Sequence, residues 1–352
     1  MATLDRALAR RVVLATVIAL SVAGAGVVLA VFRRFFILVL LGLVFTELFQ
    51  AIADPLHRRL GGPRGLWIAV SVLIVLGAIA GIVALSLYPL EQQLSRLVSD
   101  LPGVAGKLTE RAERLSRFLA RRHGQVPVAK LVAARLGDMV VGGGSVALVA
   151  VEGFFEALAV LSLGIFVAMT PRAHFEGFLN LLPSGFRGRG ARFVSEARHL
   201  LREWMIGVSL SMAIMGAIAT SGLWFIGVPY FLVFGILAGA MELIPYVGPV
   251  LAFSAPTAFC LATDPRKAIS CGIFYVIAHG VEANIVVPLV ARKRAGLPPS
   301  LVVLSILVSG ALAGIVGLIA ATPLLAVTIA AVRELWMAPA DMVVERPTRA
   351  AA

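Results

Sequence analysis

The stretch Glu242-Leu243-Ile244-Pro245-Tyr246-Val247-Gly248-Pro249 sits inside an apolar run, 230–263, and prevents that run from being one straight helix. Pro245 and Pro249 have no N–H to give to a helical ladder, so the carbonyls of Met241 and Pro245 lose their usual partners. An ionised Glu242 near the middle of a bilayer costs about 2.5–3.5 kcal/mol on insertion scales. Broken backbone at membrane depth is tolerated where protein buries it or where it lines a watery cavity. Glu242, Pro245, Tyr246, Gly248 and Pro249, with the two freed carbonyls, therefore form one candidate half-site for a solute or an ion. The competing reading is a structural carboxylate that caps the freed amides.

The surroundings place this break in a membrane. Hydrophobic residues make up 60% of the chain and charged ones only 14%, a balance that no soluble core of this length needs. Runs long enough to cross a hydrocarbon core of about 30 Å occur at 12–32, 35–53, 66–89, 146–170, 204–226 and 268–290. Arg6, Arg10 and Arg11 before the first run resemble the start of a signal peptide, but a second apolar run follows directly after Arg33 and Arg34, which predicts a membrane hairpin. The expected fold class is all-α and polytopic, with about six full transmembrane helices and two interrupted segments.

Those segments, 230–263 and 300–333, have 34 residues each, long for one crossing and short for two. The first breaks at Pro245 to Pro249, the second at Gly310, Gly314 and Gly317. Two arms of about 15 residues, each reaching about 22 Å, make a re-entrant hairpin in both cases. A shift of 69 positions lays Gly227, Pro229, Leu232, Val233, Leu243, Val247 and Gly248 on Gly296, Pro298, Leu301, Val302, Leu312, Val316 and Gly317. Coincidence among Gly, Leu and Val is the alternative. A true repeat, with the single span 268–290 between its copies, makes the hairpins enter from opposite faces, a recurring plan of secondary transporters.

Basic clusters set the orientation. Arg6, Arg10 and Arg11, then His57, Arg58, Arg59 and Arg64, then Arg187, Arg189, Arg192, Arg198 and Arg202, then Arg292, Lys293 and Arg294 fall on one side, expected to be cytoplasmic. The segment 91–145 is equally basic yet lies opposite, as long loops are free to do. Within it Leu94, Leu97, Leu101, Val104, Leu108, Leu115, Phe118 and Leu119 form one apolar helical stripe, with a kink expected at Pro102-Gly103 and a joint at Gly142-Gly143-Gly144. That stripe suits either the outer leaflet or the protein's own surface. The chain thus divides into scaffold helices (1–90), an extracytoplasmic helical region (91–145), a fourth helix with its linker (146–202), a transport bundle (203–335) and a tail (336–352).

Other candidates are Glu282, Asn284 and Pro288 late in the span 268–290, where Pro288 frees the Asn284 carbonyl. Interhelical hydrogen bonding is the equal alternative for them. Gly317 and Thr322, the latter with Pro323 at a break or bend, are the counterparts in the second segment. Glu152 and Glu156 suit snorkelling or pairing with the preceding basic loop, and Glu47 is similar. His279 has no nearby ligand in the sequence and reads as a packing or hydrogen-bonding residue rather than a metal site. Cys260 and Cys271 imply neither a disulfide framework nor a metal site. No HExxH pair, nucleophile elbow, phosphate-binding loop or Cys/His cluster is present, so neither an enzyme, a metal centre nor a cofactor is expected. The net charge of +12 is explained by topology, without nucleic acid.

The octapeptide resembles the signature of the autoinducer-2 exporter family of bacterial membrane permeases. Asn284-Ile285-Val286-Val287-Pro288-Leu289, Gly296-Leu297-Pro298 and the run from Gly314-Ile315-Val316-Gly317 to Pro323 follow in that family's order and spacing. The resemblance implies export of a small polar solute such as autoinducer-2, from a homo-oligomer in the bacterial inner membrane. Some relatives look like sodium/proton antiporters, and a non-transporting structural or regulatory role is the alternative of another class. With no ATP-binding motif in this chain, coupling to a sodium or proton gradient, or downhill movement, is the more economical reading.

Overall fold

The computed structural model describes Thr16 and residues 31–123, 143–286 and 298–337. The expected first span 12–32 lies almost wholly outside the described residues, as do residues 124–142, the loop 287–297 with Pro288, and the tail from 338. Every regular element among the described residues is helical. In chain order these are α1 (Arg33–Leu60), α2 (Arg64–His123), α3 (Gly143–Met169), α4 (Pro171–Leu181), α5 (Arg187–Ile226), α6 (Phe231–Met241), α7 (Val247–Thr263), α8 (Pro265–Val281) and α9 (Pro299–Ala331). Six described stretches are long and apolar enough to cross a membrane: 33–60, 64–81, 151–169, 184–226, 265–285 and 299–337.

Small residues let these helices approach closely, the packing device expected where lipid offers no hydrophobic drive between helices. Gly42 of α1 faces Leu163 of α3, and Gly164 faces Phe45 and the Gly42 carbonyl. Thr46 Oγ1 donates across this contact to the carbonyls of Gly42 (3.0 Å) and Gly164 (3.1 Å). On the other side of the bundle Gly239 of α6 abuts the Met212 carbonyl and Gly216 of α5, and Gly235 abuts Thr220.

Both interrupted segments reverse direction. Tyr230 and Phe234 of the first arm stack on Phe259 of the second, with ring centroids 5.2 and 5.9 Å away, so α6 and α7 are antiparallel around a tip at 242–246. In α9 the helical path breaks at Ala313 (φ −140°, ψ 21°) and Gly314 (φ 60°, ψ −135°), a combination at the second residue that is open essentially only to glycine. Ser305 Oγ then donates to Ala321 O at 2.5 Å, and Val302, Ile306, Ala321 and Leu325 share one apolar cluster, so the two arms of α9 pack against each other. The helix continues through Pro323.

The equivalence between the segments extends to their tips. A side chain on Gly248 would collide with the Met241 carbonyl, and one on Gly317 with the Ser309 carbonyl. The two glycines that the 69-residue shift superposes thus do the same work, letting backbone pass backbone just after a reversal.

The hairpins stand on opposite ends of the bundle. The feet of the first meet α2: Tyr230 Oη donates to Asp100 (2.7 Å), Leu232 N to Gln93 Oε1 (3.2 Å), and Arg111 to the Ala262 carbonyl (3.5 Å). The last turn of the second meets the basic start of α5, through Arg192–Glu334 (3.0 Å) and Arg333–Glu196 (3.5 Å). Around that same end Arg198 binds Glu47 (2.5 Å) and Gln50, and Asp54 binds Arg202 (3.0 Å) and Arg64 (3.3 Å). Glu47 is therefore a buried partner of Arg198 and does not snorkel, while Glu152 and Glu156 pair with Arg34 of α1 (2.7 and 2.5 Å), the basic residues at 124–142 lying outside the described residues.

The amphipathic segment continues the third span without a break through Pro102 and Gly103, giving a single helix of 60 residues, about 90 Å long. Its stripe covers protein: Val104, with Leu97 and Leu108, packs on the cluster of Leu223, Tyr230, Phe234 and Phe259.

Substituting Gly248 or Gly317 by Ala is expected to lower stability by about 1–3 kcal/mol, because the backbones at the tips have to separate. Gly153→Ala and Gly77→Ala, which meet nothing within 4 Å, serve as controls with little or no loss. Thermal unfolding in detergent micelles measures the difference.

Candidate functional site

The first tip is a sequence of tight turns. Leu243 N donates to Ala240 O (3.3 Å), Ile244 N to Met241 O (3.0 Å), Val247 N to Pro245 O (2.7 Å) and Gly248 N to Ile244 O (2.8 Å). The carbonyls of Met241 and Pro245, expected from the prolines to be free for a ligand, are thus occupied, since a reversing chain brings amides two and three residues ahead back onto them. The bond across Tyr246 closes a three-residue turn with φ 62° and ψ −42°, the rare and strained γ form. Pro249 falls in the first turn of α7, where its missing N–H has no intrahelical acceptor to lose. The break rests on Pro245 and the turn that follows it. The Tyr246 side chain is exposed.

Glu242 leaves this tip toward the end of α8. Glu242, His279 and Glu282 each offer a ligand atom, and the three atoms lie within 4.8 Å of one another. His279 Nδ1 is 3.0 Å from Glu282 Oε2, with the two side chains 24% and 12% exposed. Glu242 Oε1 and His279 Nε2 are both shut away from solvent without a hydrogen-bond partner among the described residues. Tyr275, one turn earlier on α8, is fully buried with its ring 6.0 Å from that of His279, and its hydroxyl also has no partner. Directly after His279 the helix widens into a π-helical turn, Glu282–Val286, a distortion that recurs at functional sites.

The remaining sequence candidates are placed elsewhere. The Asn284 side chain is exposed and donates to the Gly280 carbonyl of its own helix (2.8 Å), so it does not join Glu242. Gly317 and Thr322 belong to the second hairpin. Thr322 is buried, and neither its hydroxyl nor that of Ser309 has a partner among the described residues. The first tip reaches the second hairpin through apolar contacts: Leu243 packs on the cluster containing Ala326 and Ala330, and Val247 on that of Val302, Ile306, Ala321 and Leu325. The second tip lies further along, where Ala313 and Val316 pack on the cluster of Ile37, Leu41 and Val160. Two surface cavities lie apart from Glu242 and Glu282, one of 240 Å³ beside Asp54, Arg58, Arg59 and Arg202 and one of 510 Å³ between Gln92, Arg96, Trp224 and Tyr230. Neither has the chemistry of the cluster.

His279 is the residue that sequence reasoning passed over. Its partner on α8 is three residues away and its partner on the hairpin thirty-seven, and only the chain reversal brings the latter near. The available signal was the His279–Glu282 spacing, which puts both on one helical face. Chemically, two carboxylates this close in an apolar setting repel unless a proton, an imidazolium or a bound cation lies between them.

The AI-2E transporter family matches residues 14–337. YrrI of Bacillus subtilis (strain 168) is 26% identical over 303 residues, covering 84% of this chain and 85% of YrrI. YhhT of Escherichia coli (strain K12) is 23% identical over 85% of this chain and 84% of its own. PerM of the same strain is 26% identical over 77% and 79%. The first two are named provisionally as transport proteins and the third as a permease.

Repulsion in the cluster leads to a non-additive pair of substitutions. With chelator present at neutral pH, Glu242→Gln and Glu282→Gln are each expected to raise the unfolding temperature, and the double variant to gain less than their sum, with a coupling of about 0.5–3 kcal/mol. Strict additivity in thermal unfolding of micellar protein would show that the two carboxylates do not interact.

Proposed function

Given that the chain belongs to the AI-2E transporter family, we propose that this multi-pass membrane transporter exports a small polar solute, of the autoinducer-2 kind, driven by a sodium or proton gradient. One observation carries this reading: two carboxylates and an imidazole converge where a hairpin tip meets the end of a span, in a segment otherwise apolar enough to avoid them. Intramembrane ionisable groups are costly, and such groups mark ion and substrate pathways. Glu242, Glu282 and His279 are the coupling groups; Pro245, Tyr246, Gly248 and Pro249 shape the tip that presents Glu242. Gly317 and Thr322 of the second hairpin are taken to line the solute's route beyond it.

Hairpins with their feet at opposite ends of the bundle suit alternating access, in which one repeat rocks against the other around a fixed site. In this reading both hairpins are re-entrant. A second reading, sodium/proton exchange without an organic solute, is favoured by the titratable character of the trio itself. The assembly is taken to be a homo-oligomer in the bacterial inner membrane, with both termini cytoplasmic and 91–145 outside.

Reconstitution in liposomes tests the mechanism. Glu242→Gln preserves shape and removes charge, so gradient-dependent flux of small polyols, or of sodium against protons, is expected to fall at least tenfold and to lose its pH dependence. Asn284→Asp, whose side chain faces its own helix, is expected to keep most of the flux. Normal flux with a normal pH response in Glu242→Gln protein at matched amounts would end the site assignment.

Orientation is tested separately. In a chain with Cys260 and Cys271 replaced by Ser, Ala120→Cys is expected to react with an impermeant thiol reagent from outside intact cells, and Arg189→Cys only after permeabilisation. The reverse pattern would invert the chain.

A further inference from the structure

We propose that Glu242, His279 and Glu282 bind a divalent transition-metal ion of the zinc and manganese class, an inference that rests on reading this cluster as a cation site and names its ion. The ligand set is the first reason. Sodium, calcium and magnesium seek oxygen, whereas imidazole nitrogen suits zinc and its neighbours, and a mixed set of imidazole and carboxylates is common to their sites.

Charge balance points the same way. Two carboxylates with a neutral imidazole carry a charge of −2, which a divalent ion cancels, while one sodium ion or one proton leaves an uncompensated charge among apolar helices. Such a residue of charge is costly to bury. The polar inventory then supplies an independent observation: Glu242 Oε1 and His279 Nε2 are stripped of solvent without a hydrogen bond in return. Buried polar atoms are normally paired, and orphans of this kind call for a ligand.

The geometry asks for little movement. Ligand atoms at about 2.0–2.2 Å from a zinc ion lie about 3–3.5 Å from each other. The three atoms here are already within 4.8 Å, a gap that side-chain rotation closes. Three protein ligands leave a further coordination position open to water or to an oxygen of the solute. Because Glu242 stands on the hairpin tip and the other two on the end of α8, the ion joins two elements that are separate in the chain.

Cobalt(II) is the direct probe, since its visible d–d absorption reports on coordination. Full-length protein with Cys260 and Cys271 replaced by Ser, purified in detergent and stripped with chelator, is expected to bind one equivalent of cobalt(II) with a new visible band, to release it to zinc(II), and to unfold at higher temperature when loaded. Glu242→Gln and His279→Gln, checked for folding by size-exclusion chromatography, are expected to weaken binding on the order of 10–100-fold. Absence of the band and of the thermal shift in folded parent protein overturns the proposal. So does binding that survives both substitutions, because the ion then sits elsewhere. Failure of the transport reading looks different: metal binds, but flux ignores Glu242→Gln. If flux depends on Glu242 and no metal binds, the coupling role stands and the ion is sodium or a proton.

Discussion

Every amide and carbonyl that leaves a helix inside an apolar slab has to find another partner, and most of this architecture follows from how two helices break without violating that rule. At the first tip the turns from Ala240 to Gly248 return amides to carbonyls locally. At the second, a single glycine at φ 60° turns the chain, and the arms then cross-bond through Ser305. Both solutions need the backbones to pass almost in contact, which is why glycine stands at 248 and at 317. The side chain of Glu242 leaves the tip toward His279 and Glu282.

The polar groups of the bundle are sorted by depth. Arg34 with Glu152 and Glu156 closes one end, and the lattice of Glu47, Gln50, Asp54, Arg64, Arg198 and Arg202 closes the other. These pairs are compensated by opposite charge. The trio of Glu242, His279 and Glu282 differs in holding an excess of acid, two carboxylates beside one imidazole with no arginine or lysine among them. That imbalance of charge is what makes the trio a candidate site, whereas each acid of the other two clusters has an arginine beside it.

Much of the fold was legible because its signals are local. Proline and glycine mark where 230–263 and 300–333 must turn, and the structure reverses at 242–246 and at Ala313–Gly314. The site was legible only in part. Glu242 and Glu282 are visible as acids in apolar runs, but their adjacency depends on a hairpin docking against α8, and His279 acquires ligands only through that docking. The freed carbonyls were overestimated because proline's missing donor was counted without the amides that a turn delivers. The Glu47–Arg198 pair spans 151 residues and leaves no trace in local periodicity. The stripe of 91–123 was evident, but its choice of the protein over the leaflet depended on Tyr230, Leu232 and Ala262 being there to meet it.

The unbroken course of α2 couples regions that would otherwise be independent. One rod packs with α1 near Ile68 and, further along at Asp100 and Arg111, holds both feet of the first hairpin. A helix resists bending over this length far more than a loop does, so α2 acts as a lever with its pivot in the scaffold. Rotation of that lever by a few degrees displaces its far half by several ångströms, on the order of 5 Å per 5° over about 60 Å at 1.5 Å per residue. The hairpin feet have to follow, and the tip that carries Glu242 follows them. Loads applied outside the bundle, to the end of α2, are thereby delivered to the cluster inside it.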